Sequence, residues 1–171
     1  MKTEQDLLNE LERIGIDYIR HEHPPVFTVD EAEQHSQGIE GAHCKNLFFR
    51  DRKKQGILVV TLARKPLRIK EVGAAINAKG LSFARPERLM ETLGVIPGSV
   101  TPFAVINVRI PGHQGAENRG KGIRVVLDQD LMAEEQANFH PLVNTATLTI
   151  QTGDLIRFMA HCGQTVEIVQ L

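Results

Sequence analysis

HCKNLFFRDRKKQGILVVTLA, residues 43–63, decides how this chain is built. Two apolar segments flank DRKKQG, a charged stretch of hairpin length that ends in glycine, and the spacing predicts antiparallel strands over residues 43–50 and 56–63. The second strand, ILVVTLA, is an almost unbroken apolar run, so it belongs in the interior of a sheet with both faces covered. The first strand is less settled. It opens with Lys45 and Asn46, and alternation then sends Leu47 and Phe49 to one face and Phe48 to the other. Periodicity alone leaves Lys45 open between a solvated strand end and an amine directed at a substrate.

Upstream of the hairpin, Leu7, Leu8, Leu11 and Ile14 recur at helical spacing, with Thr3 as cap and Gly15 as stop. A short strand over residues 17–21 ends before Pro24 and Pro25. Thr28 and Glu31 read as a capping box for a helix that runs to Gln37 and stops at Gly38. Downstream, a helix over 68–78 stops at Gly80, and Pro86 suits the first turn of a helix over 87–93. Strands are expected over 103–108, 123–128 and 143–150, with a short helix over 130–136. Thr152 and Asp154 would cap a last helix through Ala160, and TVEIVQL, residues 165–171, would close the sheet. The glycine-rich PGHQGAENRGKG, residues 111–122, reads as a mobile surface excursion. Hairpins interleaved with helices predict a single α/β domain of α+β character over residues 1–171, its mixed, mainly antiparallel sheet surrounded by helices.

Composition narrows the function. Across 171 residues, 42% are hydrophobic and 24% charged, which is ordinary for a soluble globular chain. A formal net charge of −1 excludes a strongly basic wrapper of nucleic acid. The basic clusters Arg50, Arg52, Lys53, Lys54 and Arg64, Lys65, Arg68, Lys70 read first as solvated turns and helix faces, with a compact RNA contact as the alternative. No apolar run approaches a membrane span, the N-terminal segment is neither a secretory signal nor a transit peptide, and two cysteines make no disulfide framework. These features imply a reduced, cytoplasmic protein.

Few motifs carry chemistry. His21 and His23 share a strand face, and His43-Cys44 echoes His161-Cys162, but adjacent strand residues point to opposite faces and spaced zinc pairs are missing. No nucleophile elbow, CxxC pair, Walker A or dinucleotide fingerprint is present, so neither metal nor cofactor is expected. Cys44 reads as a structural thiol. GVIPGSVTPF is more specific. Pro97-Gly98 favours a type II turn and Pro102 holds Thr101 extended, which leaves the amides of Ser99, Val100 and Thr101 to meet a carbonyl or phosphate oxygen, or to belong to a plain rigid turn. If FHPLVN, residues 139–144, is extended, His140, Leu142, Asn144 and Ala146 share a face; His140 then lines a pocket or is a hydrogen-bonded structural histidine.

Four segments occur in one order: HPPVFTVDEA (23–32), GAHCKNLFF (41–49), GVIPGSVTPF (94–103) and NFHPLVNTAT (138–147). Together they resemble the YbaK/prolyl-tRNA synthetase-associated editing domains, and most closely the free-standing branch that deacylates alanyl-tRNA(Pro). The resemblance covers nearly the whole chain and implies a curved, barrel-like mixed sheet. It matches the family's lysine to Lys45, followed by Asn46, its G-x-x-x-P loop to Gly98, Ser99, Val100, Thr101 and Pro102, and its histidine to His140. It implies a metal-free ester hydrolysis in trans at the 3′ acceptor end of a charged tRNA. Lys45 would act as the catalytic amine, and Asn46, the loop and His140 would bind substrate. The ribose 2′-hydroxyl would help activate water, and a small pocket would exclude proline. Docking on prolyl-tRNA synthetase or an elongation factor is left open. Competing readings are removal of cysteine or serine, and a non-catalytic tRNA- or synthetase-binding module.

Overall fold

The computed structural model describes residues 1–110 and 122–171, so the loop expected over 111–122 lies almost wholly outside the described residues. The hairpin forms as the sequence dictates. β2 (Ala42–Arg50) and β3 (Gly56–Leu62) pair antiparallel from Cys44 with Leu62 to Arg50 with Gly56. The other strands are β1 (Ile19–Glu22), β4 (Ser82–Phe83), β5 (Arg124–Asp128), β6 (Gln136–Phe139), β7 (Ala146–Gln151) and β8 (Val166–Val169). They assemble in the order β1-β7-β6-β2-β3-β5-β8, with β4 beside β2. Four pairings are antiparallel; β2–β6, β3–β5 and β5–β8 are parallel. The mixed, mainly antiparallel sheet is therefore as read, but it does not close: β1 and β8 end the strand order instead of pairing.

β3 is buried along nearly its whole length, and its two faces serve two cores. Leu58 and Val60 join the larger one, with Leu7 and Leu11 of α1 (Glu4–Arg13), Leu93 of α4 (Pro86–Leu93) and Phe158 of α6 (Thr152–His161). Phe103 stands edge-on to Phe139 and Phe158, with ring centroids 5.9 and 5.3 Å away. Ile57 and Val59 face the smaller core with Phe49, Val126 and Val72 of α3 (Ile69–Ala75). Each such side chain contributes about 1.5–3 kcal/mol by leaving water.

Local capping chemistry places α1 and α2 (Val29–Ser36). Thr3 and Asp6 form a capping box, as do Thr28 and Glu31, and Gly15 and Gly38 follow with φ of +70° and +86°. Elsewhere the chain departs from the reading. Residues 102–107 form a 3-10 helix instead of a strand: Pro102 sits in its first turn and the Thr101 hydroxyl accepts the Phe103 N–H at 3.3 Å. A short apolar run fits either a buried strand or a buried helix, and here the cap decides. The helix expected over 130–136 is only α5 (Gln129–Met132), capped by Asp128, after which β6 pairs with β2 and β7. Residues 140–145 turn instead of running extended, with Leu142 at φ +69°. Thr152 does not cap α6: Gln151 holds the N-cap position without a side-chain cap hydrogen bond, and the Thr152 hydroxyl donates to Glu134 O at 2.6 Å.

Candidate active site

On the sheet face that carries Lys45, Phe49, Ile57 and Val59, one half holds the smaller apolar core. The other half, β1-β7-β6-β2, presents polar groups beneath α2. Thr149 Oγ1 donates to Asn138 Oδ1 at 2.6 Å, and Asn138 Nδ2 donates to Glu40 O and Gly41 O at 3.0 and 3.2 Å. α2 roofs this surface, and a cavity of about 220 Å³ lies between them. Its wall includes His23, His35, Lys45, Val100, His140 and Thr147.

Lys45 is half-buried, and its Nζ donates to the carbonyl oxygen of Lys65. Burial holds its pKa below that of an ordinary lysine. No carboxylate pairs with it among the described residues, and only one of its three donors is used there. Asn46, next along the strand, also lines the cavity, and its Oδ1 is buried with no partner among the described residues. A buried amide oxygen left this way costs roughly 1–3 kcal/mol, which a ligand donor would recover.

His140 Nδ1 donates to Ala146 O at 2.8 Å, since a carbonyl can only accept. Burial, opposed in part by that hydrogen bond, pushes the imidazole pKa below its usual 6.5. The ring is therefore neutral at pH 7, and Nε2 keeps a lone pair. His23 stands beside it, ring centroids 5.8 Å apart, and stacks on His35 at 6.1 Å. His23 Nδ1 bonds to Pro24 O at 2.9 Å, so in the neutral ring Nε2 accepts from Thr147 Oγ1, also at 2.9 Å.

The loop after α4 reaches the cavity through Gly98 and Val100. Gly98 takes φ +88°, as the Pro97-Gly98 turn requires. The Ser99 N–H, expected to be available, donates to Ile96 O at 3.0 Å and closes the turn. Ser99, Thr101 and Pro102 are buried and anchor the loop without lining the cavity. The amides of Val100 and Thr101 make no hydrogen bond among the described residues. Cys44 also lines the cavity, but burial pushes its thiol up to about 12, so it carries no thiolate near neutrality. No group of three or more metal-ligating side chains is assembled among the described residues. Asn144 leaves the site altogether and clamps Val26 O through Nδ2 at 3.0 Å, while Leu142 enters the larger core.

Sequence reasoning thus located Lys45, Asn46, Gly98, Val100 and His140 on one cavity and missed Asn138, Thr147, His35 and the carbonyl of Lys65. The alternating threonines of β7 and the shared face of His21 and His23 were the available signals.

Residues 23–158 match the model of the aminoacyl-tRNA editing domain. The chain belongs to that family. It is 31% identical over 172 residues to the prolyl-tRNA editing protein ProX of Acetoanaerobium sticklandii, covering 100% of this chain and 99% of that one. It is 33% identical to prolyl-tRNA synthetase associated domain-containing protein 1 of Danio rerio, covering 96% and 87%. Among solved structures, a candidate trans-editing enzyme for prolyl-tRNA synthetase superposes with a TM-score of 0.68 over 100% of this chain and 99% of that one, at 20% identity. That likeness establishes the fold.

Proposed function

We propose that this protein is an aminoacyl-tRNA deacylase that acts in trans, with alanyl-tRNA(Pro) as its substrate and residues 1–171 as one editing domain. The observation that carries the reading is a small cavity where, among the described residues, a lysine ammonium without a carboxylate partner, a neutral histidine acceptor and the unbonded Val100 amide converge. Membership of the editing family supports the reaction class, and the names of the relatives support a prolyl-tRNA context.

The reaction needs a positioned ester, a water and stabilisation of oxyanion charge. Lys45 supplies a cation to the phosphate or ester oxygens of the terminal adenosine. The amide of Val100 holds the 3′ end, with Gly98, Ser99, Thr101 and Pro102 fixing its direction. His140 Nε2 accepts from the ribose 2′-hydroxyl or the attacking water, and Asn46 Oδ1 accepts from the substrate's α-ammonium. At about 220 Å³ the cavity lies below the roughly 300–1,000 Å³ usual for ligand sites, which suits an alanyl group with its ester better than a prolyl ring. A role on the charged tRNA pool would suit a cytoplasmic location. No helix among the described residues is long and apolar enough to cross a membrane.

The test incubates the protein and its Lys45→Ala variant with alanyl-, cysteinyl-, seryl- and prolyl-tRNA(Pro). Rapid loss of alanine alone, abolished in Lys45→Ala, is expected. Preference for cysteine or serine would reassign the substrate, binding without ester loss would make the protein a tRNA-binding module, and equal rates on all four would refute the sieve.

A further inference from the structure

Lys45, Thr61 and Asp128 form a row across three adjacent strands. Lys45 is the cross-strand partner of Thr61, whose hydroxyl donates to Asp128 Oδ2 at 2.6 Å. Thr61 and Asp128 are fully buried. Lys65 reaches over this row from the loop after β3. Its Nζ lies 3.0 Å from the Asp128 carboxylate and 2.6 Å from Asp130 Oδ2, and its side chain is 17% exposed. The carbonyl oxygen of the same residue receives the Lys45 ammonium. One residue therefore meets the carboxylate with its cation and the neighbouring cation with its backbone.

The arrangement solves an electrostatic problem. A buried carboxylate stripped of its cation is strongly destabilising and draws in any ammonium within reach. In this row that ammonium is Lys45: two strand spacings of about 4.8 Å separate it from Asp128, within the combined reach of an extended lysine and an aspartate. An ion pair there would turn Lys45 away from the cavity and fill its donors.

We propose that Lys65 is a positioning residue: it occupies Asp128 with its ammonium and anchors Lys45 with its carbonyl, so that the Lys45 amine stays clear of carboxylates and directed at the cavity. The proposal rests on the reading of Lys45 as the substrate-facing amine. It also accounts for the Thr61 hydroxyl and the Asp130 amide, which bond to the Asp128 carboxylate at 2.6 and 3.2 Å and hold the anchor still.

Single-turnover hydrolysis of alanyl-tRNA(Pro) and an NMR titration of the Lys45 Cε resonance test it together. Lys65→Met is expected to slow hydrolysis by about a hundredfold, the scale of a misplaced catalytic group, and to move the Lys45 midpoint to higher pH as it pairs with Asp128. Lys65→Met/Asp128→Asn should recover most of the rate and restore the midpoint, because no buried carboxylate remains to capture the amine. Lys65→Arg, which keeps both cation and carbonyl, should stay close to wild type. Wild-type turnover in Lys65→Met, or a double variant as slow as the single one with an unmoved midpoint, overturns the proposal. Should Lys65→Met fail to fold, the wild-type titration decides: a Lys45 midpoint at or below that of free lysine supports it, and one raised by a carboxylate partner overturns it. Lys45→Ala at the wild-type rate would instead refute the parent reading, and the same assay separates that outcome from a silent Lys65→Met.

Discussion

Gly98→Ala probes the loop at the cavity mouth with one methyl group. An alanine Cβ there would lie 3.5 Å from Val26 O and 3.6 Å from Phe27 Cα, which is ordinary contact, so crowding is not the issue. The cost comes from φ +88°, a left-handed conformation that burdens an L-residue by about 1–2 kcal/mol. For a chain of this size each kcal/mol lowers Tm by about 2–4 °C, so a fall of roughly 2–8 °C is expected. If the loop relieves the strain by rotating, the Ser99–Ile96 turn bond opens and the Val100 amide moves, and hydrolysis should fall by about tenfold or more. Gly15→Ala is the control: φ is +70°, nothing lies within 4 Å of the added carbon, and the position ends α1 outside the cavity wall. Thermal melts should show similar losses for the two variants, and alanyl-tRNA(Pro) hydrolysis should separate them. Equal rates in the two variants would refute the argument that this loop holds substrate.

His140 gives a pH signature. Its folded pKa is depressed below 6.5, so protons bind the unfolded chain more readily. Stability is then complete above pH 6.5 and declines as pH falls through 6.5 toward the folded value. Chemical denaturation of His140→Gln between pH 5 and 8 should show a flatter profile in that window. Glu10 behaves in the opposite region. Its hydrogen bonds to Arg13 and then to His161 hold the carboxyl down to about 2 from 4.5. Its stabilisation is present above pH 4.5 and lost toward pH 2, so Glu10→Gln should cost about 1 kcal/mol at pH 7 and nothing near pH 2, as read by urea denaturation. Phe103→Ala removes the ring between Phe139 and Phe158 and should cost about 3–5 kcal/mol in the same assay, far more than a half-exposed strand residue would.

What could be read from the sequence was what local chemistry determines. Thr3 as a cap, Thr28 with Glu31 and Pro97 with Gly98 each set their backbone within four residues, and all three formed. The hairpin followed from two apolar runs around a charged turn. Most of the failures needed distant partners. β6 is four residues long and carries no periodicity; it is a strand because β2 and β7 flank it. Residues 102–107 have the composition of a buried strand, and their helical form depends on the Thr101 cap and on the aromatic cluster around Phe103. In the site, Lys45 and His140 were visible only through the order of four motifs. The Lys65 carbonyl was not visible at all, because a backbone oxygen leaves no residue-type signal.

The division of the sheet's face under α2 and α3 has an evolutionary consequence. No residue described between 30 and 36 in the roof helix is fully buried, and the floor beneath it is held by hydrogen bonds among Thr149, Asn138, His23 and Thr147. The aliphatic and aromatic bulk that stabilises the molecule lies elsewhere, around β3 and on the reverse face. Selection can therefore rewrite the cavity for a different amino acid, one side chain at a time, while drawing little on the fold's thermodynamic reserve.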